Sequence, residues 1–429
     1  MSPFVIQPPN ELGDKALVAF FKGWNWQIIP RDEVVLDFNR IDFLAPWAIT
    51  LFALHALWLH EKQGIQVKIL LDPSRQAGRY LVQAGIFELL DLPRPEGIPD
   101  LPEARTTRLT RIQHSQDVPT FAKTVMGILE IGDEELEGAV RYSLIELLRN
   151  VVQHAGSPVG ALSMAQFYPK TGLVDVVVAD RGVGILSTLK PKYPEIATDL
   201  NAIKFSMLPH VSGTFPPNAY NTMSDNAGLG LFFIKEIASR AGGGFFLGSK
   251  MALADVWGTA DGSLGKRYQV ATRDGWPGTF ALLQLRKDSI GEFDSLLGVC
   301  RDLAAQARRD PTEIDLDFID EIPDIPGLTV IRVADFEEDV EAAATVREQI
   351  AIPKLVQGEM VVLDFTSIKA ATQSFVHACM YKILRDRREA RYALSIAGCS
   401  NATREAIRAV AAYAKVGLST EQRQPPTQK

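Results

Sequence analysis

The pentapeptide Val-Val-Leu-Asp-Phe occurs twice in this chain, at 34–38 and again at 361–365. A β-branched apolar run that ends in a carboxylate and a phenylalanine reads as a buried strand leaving its sheet. In both places an isoleucine follows three residues on (Ile41 and Ile368), and then an apolar helical segment ending near Leu57 or Leu384. The shared strand–loop–helix pattern predicts an internal repeat. The first copy goes on to a break at Gly64, a strand at 65–71 and a helically spaced segment at 76–90. The second has a helix through Arg385, a strand near 392–396 and a helix at 403–414. Strands alternating with helices predict two α/β units, each a sheet with helices packed on it.

Between the copies there is room for an independent α+β unit, since 429 residues correspond to about two to four domains at roughly 100–200 residues each. It opens with helices at 119–129 and 133–154 and continues with strands at 161–167 and 173–179. A linking helix at 290–308 and an acidic, proline-containing segment at 310–327 lead into the second copy, and the polar tail 419–429 is expected to be disordered. The predicted division is therefore 1–110, 112–287, 288–312, 313–418 and 419–429. The net charge of −7 gives no general attraction to nucleic acid or to an anionic membrane. Cys300, Cys379 and Cys399 are odd in number and lack CxxC spacing, so neither a disulfide framework nor a zinc site is expected and a reducing cytoplasm is the expected location. No basic, then apolar, leader opens the chain. The apolar stretch 43–59 contains Pro46, Thr50 and His55 and directly follows a strand, which predicts a buried helix instead of a membrane span.

Chemistry concentrates in the middle block. In the helix at 142–154, Leu144, Leu147, Leu148, Val151 and Val152 form the core-facing stripe. Glu146, Asn150 and His154 recur every fourth residue, drifting about 40° per step, so their polar ends can converge on one ligand. A carboxylate can take a proton from a nucleophile, and an amide oxygen can join phosphate oxygens and water around Mg²⁺. Solvated helix polarity gives the same pattern. Downstream, Asp180-Arg181-Gly182-Val183-Gly184 places a carboxylate at a strand exit, where it can accept from an exocyclic amino group; a tight turn uses the same residues. Asn226-Ala227-Gly228-Leu229-Gly230 opens a helix at 231–240, and glycines there leave free N–H groups for phosphate; a simple N-terminal turn has the same residues. The roughly forty Pro-, Asn-, Ser- and Thr-rich residues between Gly184 and Gly228 read as a nucleotide lid. Gly278-Thr279-Phe280 leads into a strand at 280–285, and Thr279 at its start can support Asp180.

Taken in order, ELLRNVVQHA at 146–155, DRGVG at 180–184, NAGLGL at 226–231 and GTF at 278–280 resemble the N box, the two glycine boxes and the closing motif of the histidine-kinase-like ATPase superfamily. The form E-x-x-x-N-x-x-x-H most resembles the anti-sigma-factor serine kinases, and the two flanking copies resemble STAS domains. The resemblance implies a central Bergerat-type α/β sandwich flanked by two STAS-like α/β domains. It implies Glu146 as general base, Asn150 as Mg²⁺ ligand, Asp180 as adenine reader, and the Gly228 and Gly230 backbone as phosphate cradle. His154, Gly182, Gly184, Asn226, Leu229 and Thr279 are counted with the nucleotide-binding residues. In the anti-sigma antagonists a hydroxyl at the start of the helix after the VVLDF-type strand is phosphorylated. The first copy has Ala45-Pro46-Trp47 there; the second has Thr372-Gln373-Ser374, so Ser374 or Thr372 is a candidate acceptor, with helix capping as the structural alternative.

None of the six histidines has the context of a sensor-kinase acceptor, and a helix with a STAS-like unit follows the ATPase block where a gyrase-like clamp has its transducer. The expected function is thus a cytoplasmic regulatory protein using ATP and Mg²⁺, hydrolysing ATP or phosphorylating a Ser/Thr of a partner or of its own STAS-like domain. Protein partners are expected through the STAS-like units, and the sequence leaves self-association open. A non-catalytic, ATP-gated interaction switch is the alternative.

Overall fold

In the computed structural model the described residues are 2–27, 32–98, 105–130, 132–193, 196, 198–207, 211, 230–258, 264–287, 289, 291–306, 317–319, 322, 328–357, 359, 361–386 and 394–421. The chain is a mixed α/β protein with several sheets.

The first unit runs β1 (Phe4–Ile6), β2 (Glu11–Leu12), α1 (Asp14–Gly23), β3 (Glu33–Asp37), β4 (Phe43–Leu44), α2 (Pro46–Gln63), β5 (Gln66–Leu70), α3 (Gln76–Gln83) and α4 (Ile86–Leu89). Strands β1, β3 and β5 form a parallel sheet with the Val-Val-Leu-Asp strand in the centre. The single helix expected at 76–90 is broken at Gly85, whose φ of 81° lies in the left-handed region. Helix α2 is apolar nearly all round, which suits an element packed on more than one side. Among the described residues no helix is long and apolar enough to cross a membrane.

The middle unit comprises β6 (Arg105–Thr106), β7 (Thr110–Ile112), α5 (Asp117–Leu129), α6 (Glu134–Asn150), β8 (Ala161–Tyr168), β9 (Leu173–Asp180), α7 (Ile185–Leu189), α8 (Asp199–Ser206), α9 (Gly230–Arg240), β10 (Gly244–Lys250), β11 (Ala252–Gly258), β12 (Leu264–Val270) and β13 (Trp276–Arg286). Its strands form one eight-stranded sheet in the order β12-β11-β10-β13-β9-β8-β6, with β7 also on β8. Because β6 and β7 belong to this sheet, the boundary expected at 110 falls earlier. The lid expected after Gly184 contains two short helices, α7 and α8, with a small core of Leu189, Ile196 and Ala202; residues 212–229 lie outside the described set.

Strand β9 shows how the sheet is held. Val174, Val176 and Val178 point to one face, where α5, α6 and α9 supply the core. Val177 and Ala179 point to the other, where they meet α2 and the rest of the first unit. The period of two along the strand therefore serves two cores, and a near-continuous apolar run is what a strand covered on both faces requires.

Helix α10 (Phe293–Gln306) leads to the last unit: β14 (Asp317–Ile319), β15 (Thr329–Arg332), α11 (Val340–Val346), α12 (Ile352–Val356), β16 (Val361–Asp364), α13 (Gln373–Asp386), β17 (Leu394–Ala397) and α14 (Asn401–Glu421). Its sheet is parallel, ordered β14-β17-β16-β15. The two Val-Val-Leu-Asp strands occupy matching places. Asp37 lies opposite Leu70 and Asp364 opposite Ala397, and the following phenylalanine N–H donates to those residues' carbonyls at 2.7 and 2.9 Å. In both copies the aspartate side chain then accepts from the N–H two residues on, Asn39 at 3.1 Å and Thr366 at 2.9 Å. Helix α14 extends through Glu421, so the disorder expected from 419 does not hold for its first residues; 422–429 lie outside the described set.

Candidate functional site

Helix α6 starts at Asp133, whose carboxylate accepts from the N–H groups of Glu135 and Leu136, both at 3.1 Å, and three glutamates in its first turn suit the positive end of the helix. Its apolar residues join the core of the sheet, while Glu146 and Asn150, one turn apart, face a cleft between α6 and the ends of β9 and β13. The helix does not continue in α form to His154 as the spacing predicted. Residues Val151–Ala155 form a π-helical turn closed by Gly156 at φ 55°, a local widening that is frequent at functional sites. His154 still lines the cleft, and burial lowers its pKa, favouring the neutral ring.

Glu146, Asn150, His154, Asp180, Gly184, Gly230, Thr279 and Ser374 all line this one cleft. Asp180 sits at the end of β9 with its carboxylate almost wholly buried, 1% exposed. Its Oδ1 accepts from the N–H groups of Gly182 at 2.6 Å and Thr279 at 3.3 Å. Burial raises its pKa to about 6, against those two bonds and the nearby Lys250 cation. Thr279 supports Asp180 through its backbone; its hydroxyl lies 3.4 Å from Ser249 Oγ. Gly182 does not line the cleft but makes the close approach that shapes it: a Cβ there would sit 1.9 Å from the carbonyl oxygen of Ala155. Gly184 has φ 83°, a conformation glycine adopts without strain. Gly230, first residue of α9, is tight against the helix: a Cβ would lie 2.7 Å from Glu146 Oε2. Asn226, Gly228 and Leu229 lie outside the described residues.

The far wall of the cleft comes from the last unit. Ser374 Oγ donates to Glu146 Oε1 at 2.9 Å. Arg149 Nη1 donates to Thr372 Oγ1 at 2.5 Å and to Ser374 Oγ at 3.1 Å, and stands 3.8 Å from Glu146 Oε1. Burial raises the Glu146 pKa, opposed by Arg149 and by the Ser374 hydrogen bond. The two candidate acceptors separate here. Thr372 is fully buried, does not line the cleft, and caps α13 by accepting from Phe375 N–H at 3.4 Å; Ser374 is the hydroxyl on the cleft wall.

Sequence reasoning passed over Arg149, Arg181, Ser249, Lys250 and Gln373. Lys250 Nζ donates to the Gly182 carbonyl at 2.8 Å, and Ser249 Oγ accepts from Ile185 N–H at 3.0 Å, so β10 braces the loop that carries Asp180. Arg181 turns to the opposite face of the sheet, stacks 4.0 Å over the Trp58 ring of α2 and contacts His55 Nδ1. One signal was available for Arg149: a cation three residues after a carboxylate shares its helical face. Among the described residues no group of three or more His, Cys, Asp or Glu could hold a metal ion; the side-chain amide of Asn150 is one of the polar groups on the cleft wall. Comparison with protein-family models, curated proteins and solved structures found no match to this chain.

Proposed function

We propose that this chain binds Mg·ATP in the cleft of α6 and transfers the terminal phosphoryl group to Ser374 of its own last unit. The observation that carries the reading is the 2.9 Å hydrogen bond from Ser374 Oγ to Glu146 Oε1 on the wall of a cleft that also holds Asp180. A nucleophile bonded to its base, with the base oriented by a third group, is the arrangement expected of an activated hydroxyl. The ordered motifs and their resemblance to histidine-kinase-like ATPases support a Bergerat-type reading of the middle unit. The matching strand registers support a STAS-like reading of both flanks.

In this reading Asp180 accepts from the adenine amino group, and the start of α9 at Gly230 faces the phosphates with its positive dipole end. Asn150 holds the magnesium, which supplies charge neutralisation when bound. Ser374 Oγ forms a bond to the terminal phosphorus while its proton passes to Glu146; the bond from that phosphorus to the bridging oxygen breaks, and ADP leaves with the electron pair. Protein partners, and any self-association, then read the phosphorylation state of the last unit.

The test is incubation of the full chain with ATP labelled in its terminal phosphate, followed by mapping of the label. Phosphoserine at 374 is expected. Glu146→Gln should keep nucleotide affinity within about twofold while slowing transfer by roughly a hundredfold or more. Free phosphate without phosphoserine would assign turnover to water, and binding without either product would leave the passive switch.

A further inference from the structure

We infer that Arg149 serves the acceptor side of this transfer, first aiming the Ser374 hydroxyl at its base and then holding the phosphate that the hydroxyl has received. The assignment rests on the phosphoryl transfer proposed above, and it adds a site for a phosphoserine to the chain.

The first half follows from hydrogen-bond inventory. A guanidinium has donors and no acceptor, so a hydroxyl that faces it must do so with a lone pair. Ser374 Oγ lies 3.1 Å from Arg149 Nη1 and 2.9 Å from Glu146 Oε1. Its single proton is therefore directed at Glu146. The same Nη1 holds Thr372 Oγ1 at 2.5 Å, and Thr372 caps α13 through Phe375 N–H at 3.4 Å, so Arg149 is fixed to the helix that carries the acceptor.

The second half follows from the donor that is left over. Arg149 is only 4% exposed, yet its Nη2 has no hydrogen-bond partner among the described residues. A buried donor without a partner is costly and calls for an explanation. Transfer supplies one, because it puts a group of charge about −1.5 to −2 with three strong acceptor oxygens where a neutral hydroxyl stood. A guanidinium can meet two of those oxygens at once, whereas a lysine ammonium would act as a point charge. Glu146 Oε1, 2.9 Å from Ser374 Oγ, repels such a group once it is ionised, whereas Arg149 Nη1, 3.1 Å from the same oxygen, is a cation that can retain it.

The experiment uses the full chain with Arg149→Lys and, separately, Arg149→Ala with and without methylguanidinium, folding being checked by circular dichroism. Single-turnover phosphorylation of Ser374 is followed by mass spectrometry across ATP concentrations, and phosphatase release of phosphoserine is timed on the isolated products. Arg149→Lys should lower the rate at saturating ATP by about tenfold or more with half-saturation within about twofold, and should speed phosphatase release by about fivefold. Methylguanidinium should restore about tenfold to a folded Arg149→Ala chain, the lost fork being supplied from solution. Wild-type rates and phosphatase resistance in Arg149→Lys would overturn the assignment while leaving the transfer standing. Absence of phosphoserine in the wild-type chain would overturn the transfer and this assignment with it.

Discussion

At Asp180, burial and hydrogen bonding pull the carboxyl in opposite directions. Its pKa of about 6 lies above the ordinary 3.8, so the folded state binds the proton more tightly than the unfolded chain does. The resulting stability is fully present below the ordinary value and is lost as pH rises through about 6. At neutral pH the buried charge is thus a cost to the empty protein. Asp180→Asn should melt higher than wild type near pH 7.5, with the difference vanishing below about pH 4, while nucleotide affinity falls about tenfold or more. Melting curves across pH together with nucleotide titrations check both halves; a lower melting temperature at neutral pH with unchanged affinity would contradict them. Asp180 was singled out because a carboxylate at a strand exit before two glycines can meet a ligand, although the bond it accepts from Gly182 N–H is also what a tight turn there provides. Arg149 was not, because a charged residue on a helix is ordinarily solvated, whereas here it is buried and donates to Thr372 and Ser374 of the last unit.

At the scale of elements, the cleft depends on how closely the Asp180 loop meets the end of α6. Val183 N–H donates to the Ala155 carbonyl at 2.8 Å, across the π-helical turn. A methyl group at 182 would collide with that carbonyl at 1.9 Å. Gly182→Ala should therefore destabilise the chain by about 1–3 kcal/mol and weaken nucleotide binding, measured by denaturant unfolding and titration; wild-type stability would show that the approach is not rigid. Strands β8 and β9 and helices α6 and α9 could be read from their periodicity. Strands β10, β11 and β12 were missed. Their glycines, such as Gly244, Gly248 and Gly265, and their polar residues interrupt the apolar pattern that marks a strand. The π-helical turn was also invisible, since an extra residue in a turn leaves no mark on composition.

At the scale of the whole molecule, the two repeat copies do different work from one shape. Position 45 in the first corresponds to 372 in the second, and 47 to 374. Trp47 is fully buried in the core shared with the back of the middle sheet, whereas Ser374 meets Glu146 at the front. Removing 1–104 should bare Leu162, Met164, Val177, Phe280 and Leu282, an apolar sheet face, and the shortened chain should aggregate; a monomeric peak in size-exclusion chromatography would refute this. The repeat, the alternation of strands and helices, and the convergence of Glu146 and Asn150 were set by sequence alone, because periodicity and spacing along one element are local properties. Which face each copy would cover, and that Ser374 rather than Thr372 would reach the cleft, were decided only by tertiary structure. The reason is that both depend on contacts such as Arg149 with Ser374, between residues far apart in the chain, which no local pattern records.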